Sequence, residues 1–165
     1  MNQNAVFLEG PIGVGKTTLG QALADRLSAP FIDGDNYSDP GLPWFCSSYR
    51  TSKRVLSAAL EALKDRRLVV LAYPLRCVNW IYYRRRFGEA SVTLHVISLT
   101  ASYEAIVSPQ RGRVYSAAEQ ARIRTMISEG YGARPFSDRI IDTGQARFGE
   151  TVARLEIAVR EMTRA

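Results

Sequence analysis

Histidine occurs once in this chain, at His95, and cysteine twice, at Cys46 and Cys77. Those three side chains cannot complete a four-ligand zinc site without carboxylates, and two cysteines do not make the disulfide framework of a small secreted domain. Both thiols are expected to be reduced and semi-buried. No apolar run approaches the roughly 20 residues that span a bilayer, and the opening "MNQNAVFLEG" lacks the order of a signal peptide, so no membrane association and a cytoplasmic location are expected. Repeats, low-complexity stretches and an evident linker are also missing. At 165 residues and 46% apolar composition, the chain reads as one domain over 1–165 with a proper core.

Lysine is almost as scarce as cysteine, with Lys16, Lys53 and Lys64 the only three among 22 basic residues. The net charge of +6 is therefore carried by arginine, whose planar fork suits phosphate-bearing ligands. The basic residues are scattered and form no tail. Composition alone does not choose between a polyanion and a small phosphorylated ligand.

Strand and helix patterns alternate along the chain. "AVFLE" (5–9), "PFID" (30–33), "LVVLAY" (68–73), "SVTLHVISL" (91–99) and "RIID" (139–142) read as strands, most of them too apolar to have a wet face. Between them, helical spacing links Leu19, Ala22, Leu23 and Leu27, then Leu56, Ala59, Leu60 and Leu63 on a helix over about 51–66. Ser116 and Glu119 stand at capping-box distance before a helix that Gly130 ends, and Val152, Leu155, Val159 and Met162 line a final one. Five such alternations predict a parallel sheet between layers of helices.

"GPIGVGKT" gives the first chemical signal. Gly10, four residues, then Gly15, Lys16 and Thr17 lie directly after a strand and before a helix, the context a phosphate-binding loop requires. Glycine lets successive backbone N–H groups turn around an anion, with Gly13 adding freedom in mid-loop, and the helix presents its positive end to the same phosphates. Pro11, Ile12, Val14 and Thr18 complete the expected nucleotide cradle. Lys16 supplies a charge for the β- and γ-phosphates, and the Thr17 hydroxyl is placed to ligate Mg²⁺. A guanine-reading Asn-Lys-x-Asp is missing, and "DTGQ" (142–145) is one residue short of a switch motif. In "FIDGDN" (31–36), Asp33 and Asp35 fall two apart at the carboxyl end of the second strand, on the ligand-binding edge. Two carboxylates facing a triphosphate repel it unless metal and a hydroxyl-bearing acceptor lie between them, which is what a kinase needs.

"GPIGVGKTTLGQALADRLSAPFIDGD" resembles the opening of the small P-loop metabolite kinases, the shikimate, gluconate and adenylylsulfate kinases. The likeness is close over 5–36 and loose but collinear beyond, ending in "RIIDTGQARFGETV", which is similar to the family's last strand and adenine-side loop. It implies a three-layer α/β/α P-loop NTPase fold with a five-stranded parallel sheet, a small mobile lid over about 108–124, and ATP with Mg²⁺. Transfer would go to a hydroxyl of a small polar acceptor, with Asp33 in the magnesium shell and Asp35 holding or deprotonating that hydroxyl. "YPLRCVNW" stands where shikimate kinases carry a triple glycine, no "FRxxE" follows the acid pair, and the gluconate pattern after "DGD" is missing. Nor does the third strand end in an acid. These departures point away from shikimate and gluconate as the acceptor.

Arg111 and Arg113 flank a glycine where similar kinases have their lid, and are expected to meet the nucleotide, Arg111 stabilising the phosphoryl group in transfer. Arg76, at the exit of the third strand, is placed to meet an anionic acceptor or the γ-phosphate, and Arg50 and Arg54 are weaker candidates from the acceptor side. "NWIYYRRRF" (79–87) mixes rings and cations as nucleic-acid sites do, but Trp80, Tyr83 and Phe87 share a helix face, which favours core packing with arginines at the rim. His95 is expected to be a satisfied histidine inside the fourth strand. The expected enzyme is a phosphotransferase acting alone or as a homodimer on a small molecule rather than a nucleic acid. A nucleoside or nucleotide kinase, marked by base stacking on Trp44, Tyr49 or Trp80, a polynucleotide end kinase, and an ATP-binding module without turnover remain as alternatives.

Overall fold

A computed structural model describes residues 2–42 and 44–164, apart from the side chains of 44–46. The Trp44 and Cys46 side chains thus lie outside the described residues. Five strands, β1 (Gln3–Glu9), β2 (Phe31–Asp33), β3 (Leu68–Ala72), β4 (Val92–Thr100) and β5 (Arg139–Asp142), form one sheet in the order β2-β3-β1-β4-β5. Every pairing is parallel. The helices are α1 (Lys16–Leu27), α2 (Trp44–Leu63), α3 (Cys77–Glu89), the short α4 (Tyr103–Val107), α5 (Ala117–Ser128) and α6 (Phe148–Met162).

Side chains alternate across β1, and the two faces bury different partners. Val6 and Leu8 pack with Leu19, Leu23, Leu155 and Val159 of α1 and α6. Ala5 and Phe7 pack with Val55, Leu56, Ala59, Tyr83 and Phe87 of α2 and α3. The result is a three-layer α/β/α sandwich whose central strand is buried on both sides, which is why "AVFL" carries no polar alternation. A single strand slip would put Phe7 among residues shaped for Leu8.

Local signals hold where they have a mechanism. The Ser116 hydroxyl accepts from the Glu119 amide while Glu119 accepts from the Ser116 amide, so α5 starts where the capping box sets it. The second helix begins at Trp44, earlier than its apolar stripe suggests, because its first turns carry hydroxyl and aromatic residues rather than the repeating leucines. Tyr83 and Phe87 are fully buried, and Trp80 stacks on Phe136 at 4.9 Å. His95 is half-buried, meets Asn4 Oδ1 at 3.1 Å, and is pushed down by burial. Cys77, expected to be semi-buried, is instead a free, exposed thiol at the start of α3.

For function the register matters most. β1 ends at Glu9, opposite Ser98 of β4, while Asp33 and Leu8 both pair with Ala72 of β3. The carboxyl ends of β1, β2 and β3 therefore open on one edge. The segments leaving these three strands meet above the sheet.

Candidate active site

The chain leaving β1 turns through Gly10, Gly13 and Gly15, all with positive φ, before α1 begins. At Gly13, with φ 79°, an added Cβ would stand 2.2 Å from the Tyr115 hydroxyl, so only glycine lets that buried ring close onto the loop. The N-terminus of α1 has neither a side-chain cap nor an acid in its first turn, which leaves its N–H groups directed at the crevice. Lys16 donates to the carbonyls of Gly10 and Pro11, both at 2.9 Å, and so arches back over the loop. Burial pulls its ammonium down to about 8 against the opposing fields of Asp35, Glu9 and Asp33.

The acid pair faces this loop across the crevice. The Thr17 hydroxyl donates to Asp33 Oδ2 at 2.8 Å, joining α1 to the end of β2. Asp33 Oδ1 accepts from the Asp35 amide at 3.1 Å, in a tight turn that caps the one-turn helix Gly34–Tyr37. That turn aims the two side chains differently. Asp33 is committed to Thr17, whereas Asp35 opens into the crevice, where lost solvation and the Asp33 charge push its carboxyl up while Lys16 pulls it down. Both groups are hard oxygen donors beside Thr17, and no cluster of three or more His, Cys, Asp or Glu stands together among the described residues. A metal here would be shared between Thr17, Asp33 and ligand oxygens, which suits Mg²⁺.

The crevice encloses about 1150 Å³ and runs from Asp35 past the loop to the segment after β5, where Gln145 and Phe148 line it. Its other wall is the 108–116 segment. Arg111 donates to the Gly13 carbonyl at 3.1 Å and to the Thr143 carbonyl at 2.6 Å, which ties this wall to the loop and to the turn after β5. Arg113 pairs with Glu119 at 3.0 Å and lies over the Tyr115 ring, and its charge reaches Lys16. The remaining sequence candidates separate. Arg76 donates to the Tyr131 hydroxyl at 3.0 Å, and both join Asp35 in acting electrostatically on Tyr73. Arg50 and Arg54 hold Asp39, at 3.3 and 2.9 Å, and neither they nor Arg76 line the crevice.

The shikimate kinase family model matches residues 12–39, from within the loop to just past the acid pair. A shikimate kinase from Psychrobacter sp. is 43% identical over 77 residues, which takes in 41% of this chain and 41% of the relative. The chain thus spans less than half the length of the curated relatives it matches. Whole-length likeness is to solved structures. A shikimate kinase from Acinetobacter baumannii in complex with shikimate has a TM-score of 0.64 at 18% identity, covering 100% of this chain and 97% of that one. A gluconokinase from Sinorhizobium meliloti 1021 has a TM-score of 0.62 at 18% identity, covering 99% and 98%. The chain has the P-loop small-molecule kinase fold.

Within that fold, several residues in or behind the crevice went unnoticed in the sequence. Tyr73 stands against Gly34, where a Cβ would meet its ring at 2.3 Å, and its phenol is pushed up by burial and by Asp35. Tyr131 and Arg134 lie together at 3.9 Å, ring to guanidinium. The Thr143 hydroxyl donates to the Val14 carbonyl at 3.0 Å and closes the loop from behind. Glu9, fully buried at the end of β1, passed as part of an apolar strand. Only Glu9 had a readable signal, an acid directly after "AVFL".

Proposed function

We propose that this chain transfers the γ-phosphoryl group of Mg·ATP to a hydroxyl of a small polar metabolite. The observation that carries the reading is the link from Thr17 to Asp33 at 2.8 Å, which sets the phosphate loop and the acid pair around one crevice. The cradle fits a triphosphate: glycines stand where side chains would collide, the end of α1 is uncapped, and Lys16 lies over the loop. Thr17 and Asp33 would hold Mg²⁺, which when bound neutralises charge shared by the β- and γ-oxygens.

The chain's own groups then divide the work. Lys16 balances the phosphate charge, and a desolvated ammonium does so more strongly than an exposed one. Asp35 orients the acceptor hydroxyl and takes its proton, a role helped by a carboxyl more basic than an exposed aspartate. Arg111 and Arg113 belong to a lid over about 108–124 that excludes water. Arg111 would exchange its hold on the Gly13 and Thr143 carbonyls for the transferring group as the lid closes. Arg76, beside Tyr131, suits the acceptor side; Arg50, held by Asp39, would reach it only by leaving that carboxylate.

ADP release with Mg·ATP across sugars, sugar acids, shikimate, adenylylsulfate and nucleosides tests the reading. One acceptor class should turn over, and Asp35→Asn should abolish that turnover. ADP release with none of them, despite binding of Mg·ATP, would favour a nucleotide-sensing module.

A further inference from the structure

Glu9 is the last residue of β1, and its side chain is completely buried. The four residues before it, 5–8, are apolar, and a buried carboxyl among apolar neighbours costs stability unless its oxygens are satisfied. One oxygen is. Glu9 Oε1 accepts from the Ser98 hydroxyl and, at 2.9 Å, from the Gly132 amide, and Ser98 in turn meets the Ser137 hydroxyl at 2.5 Å. Glu9 Oε2 has no hydrogen-bond partner among the described residues. A buried acid retained with half its capacity unused calls for a reason beyond packing.

The reason lies in what Gly132 belongs to. The turn after α5 passes through Gly130 and Gly132, both left-handed, and Gly132 is pressed so close that a Cβ would stand 2.7 Å from the Leu99 carbonyl and 3.3 Å from Pro11 of the phosphate loop. This turn carries Tyr131 and Arg134. Tyr131 accepts from Arg76, and Arg134 donates to the Leu75 carbonyl at 3.0 Å. Asp35, Tyr131 and Arg76 all act electrostatically on Tyr73. The turn therefore reaches from the back of the phosphate loop to the side of the crevice where Asp35 opens.

We propose that Glu9 is a positioning residue, which pins the Gly130–Arg134 turn beneath the phosphate loop and so sets Tyr131, Arg134 and Arg76 for the phosphoryl acceptor. The inference rests on the kinase reading for what the wall binds, not for how the wall is held. Burial raises the Glu9 carboxyl above its ordinary value, while Ser98, Gly132, Arg134 and Lys16 pull it down. Its protonation state is secondary, because Oε1 accepts from both donors in either form, and glutamine can do the same.

Amide exchange by NMR, with Mg·ATP titration alongside, separates this role from simple stability. In Glu9→Val, exchange at Gly132 should accelerate by about tenfold more than at the core amides of Val70 and Leu71, and the Arg134 Nε–H signal should broaden. In Glu9→Gln both readouts should stay within about threefold of wild type, and in both variants the Kd for Mg·ATP should change less than about threefold. An unchanged Gly132 amide in Glu9→Val, an equal acceleration at every amide, or a Glu9→Gln that behaves like Glu9→Val would overturn the proposal. Failure of the kinase reading looks different, since it leaves the Gly132 result intact and shows as missing ADP with every acceptor.

Discussion

The two ends of the crevice are built by different means. At the end proposed for the nucleotide, the backbone makes the surface: loop amides, the uncapped start of α1 and Gly13, which admits Tyr115. Contiguous sequence specifies all but the outer wall. On the side proposed for the acceptor, side chains gather instead, and they come from four places: Asp35 after β2, Tyr73 and Arg76 after β3, Tyr131 and Arg134 after α5, and Glu9 beneath them. A backbone cradle accepts any phosphate chain of the right charge. A side-chain wall can be changed one residue at a time, so the acceptor can differ among chains that share the cradle.

Mutation can break this contrast, and Lys16 should give the largest effect. Lys16→Ala should lower ADP release by about a thousandfold or more, because charge at the transferring group is lost with its binding. Asp35→Asn should lower turnover by about a hundredfold or more while the Kd for Mg·ATP stays within about threefold. Comparable losses in both constants would place Asp35 at the nucleotide end instead. Arg111→Ala bears on the wall between the ends and should reduce kcat by about tenfold, more than it weakens Mg·ATP. Equal losses would assign it to ground-state binding.

The smallest effect concerns stability and pH. A carboxyl whose folded value is raised favours its neutral form in the fold, so Glu9 costs nothing below its ordinary value near 4.5. As pH rises from there through the folded value, the unfolded chain releases the proton first and stability declines, then levels off. Glu9→Gln should remove that decline, making its urea midpoint relative to wild type higher at neutral pH than at pH 4. A constant offset between the two would show that Glu9 titrates alike in both states.

The same contrast explains what the sequence made readable. "GPIGVGKT" between a strand and a helix specifies a loop because each position has a backbone reason, and the strongly apolar strands β1, β3 and β4 could only be buried on both faces. Asp33 and Asp35 were legible from their spacing, but not their separate partners, since the turn that commits Asp33 to Thr17 depends on where β2 lies beside α1. Tyr73, Tyr131 and Arg134 carry no local pattern, and they meet only because β3 and the turn after α5 converge across more than fifty residues of chain. Arg50 looked like a ligand for the acceptor and stands on Asp39. A charge on a helix face says little until its partner is known.

Isothermal titration of the wild-type chain with Mg·ATP, with Lys16→Ala as the paired sample, asks whether the glycine loop holds a triphosphate. A saturable heat is expected at submillimolar nucleotide, lost or shifted at least about tenfold in the variant. No saturable heat up to millimolar Mg·ATP, or equal binding by the two proteins, would contradict it.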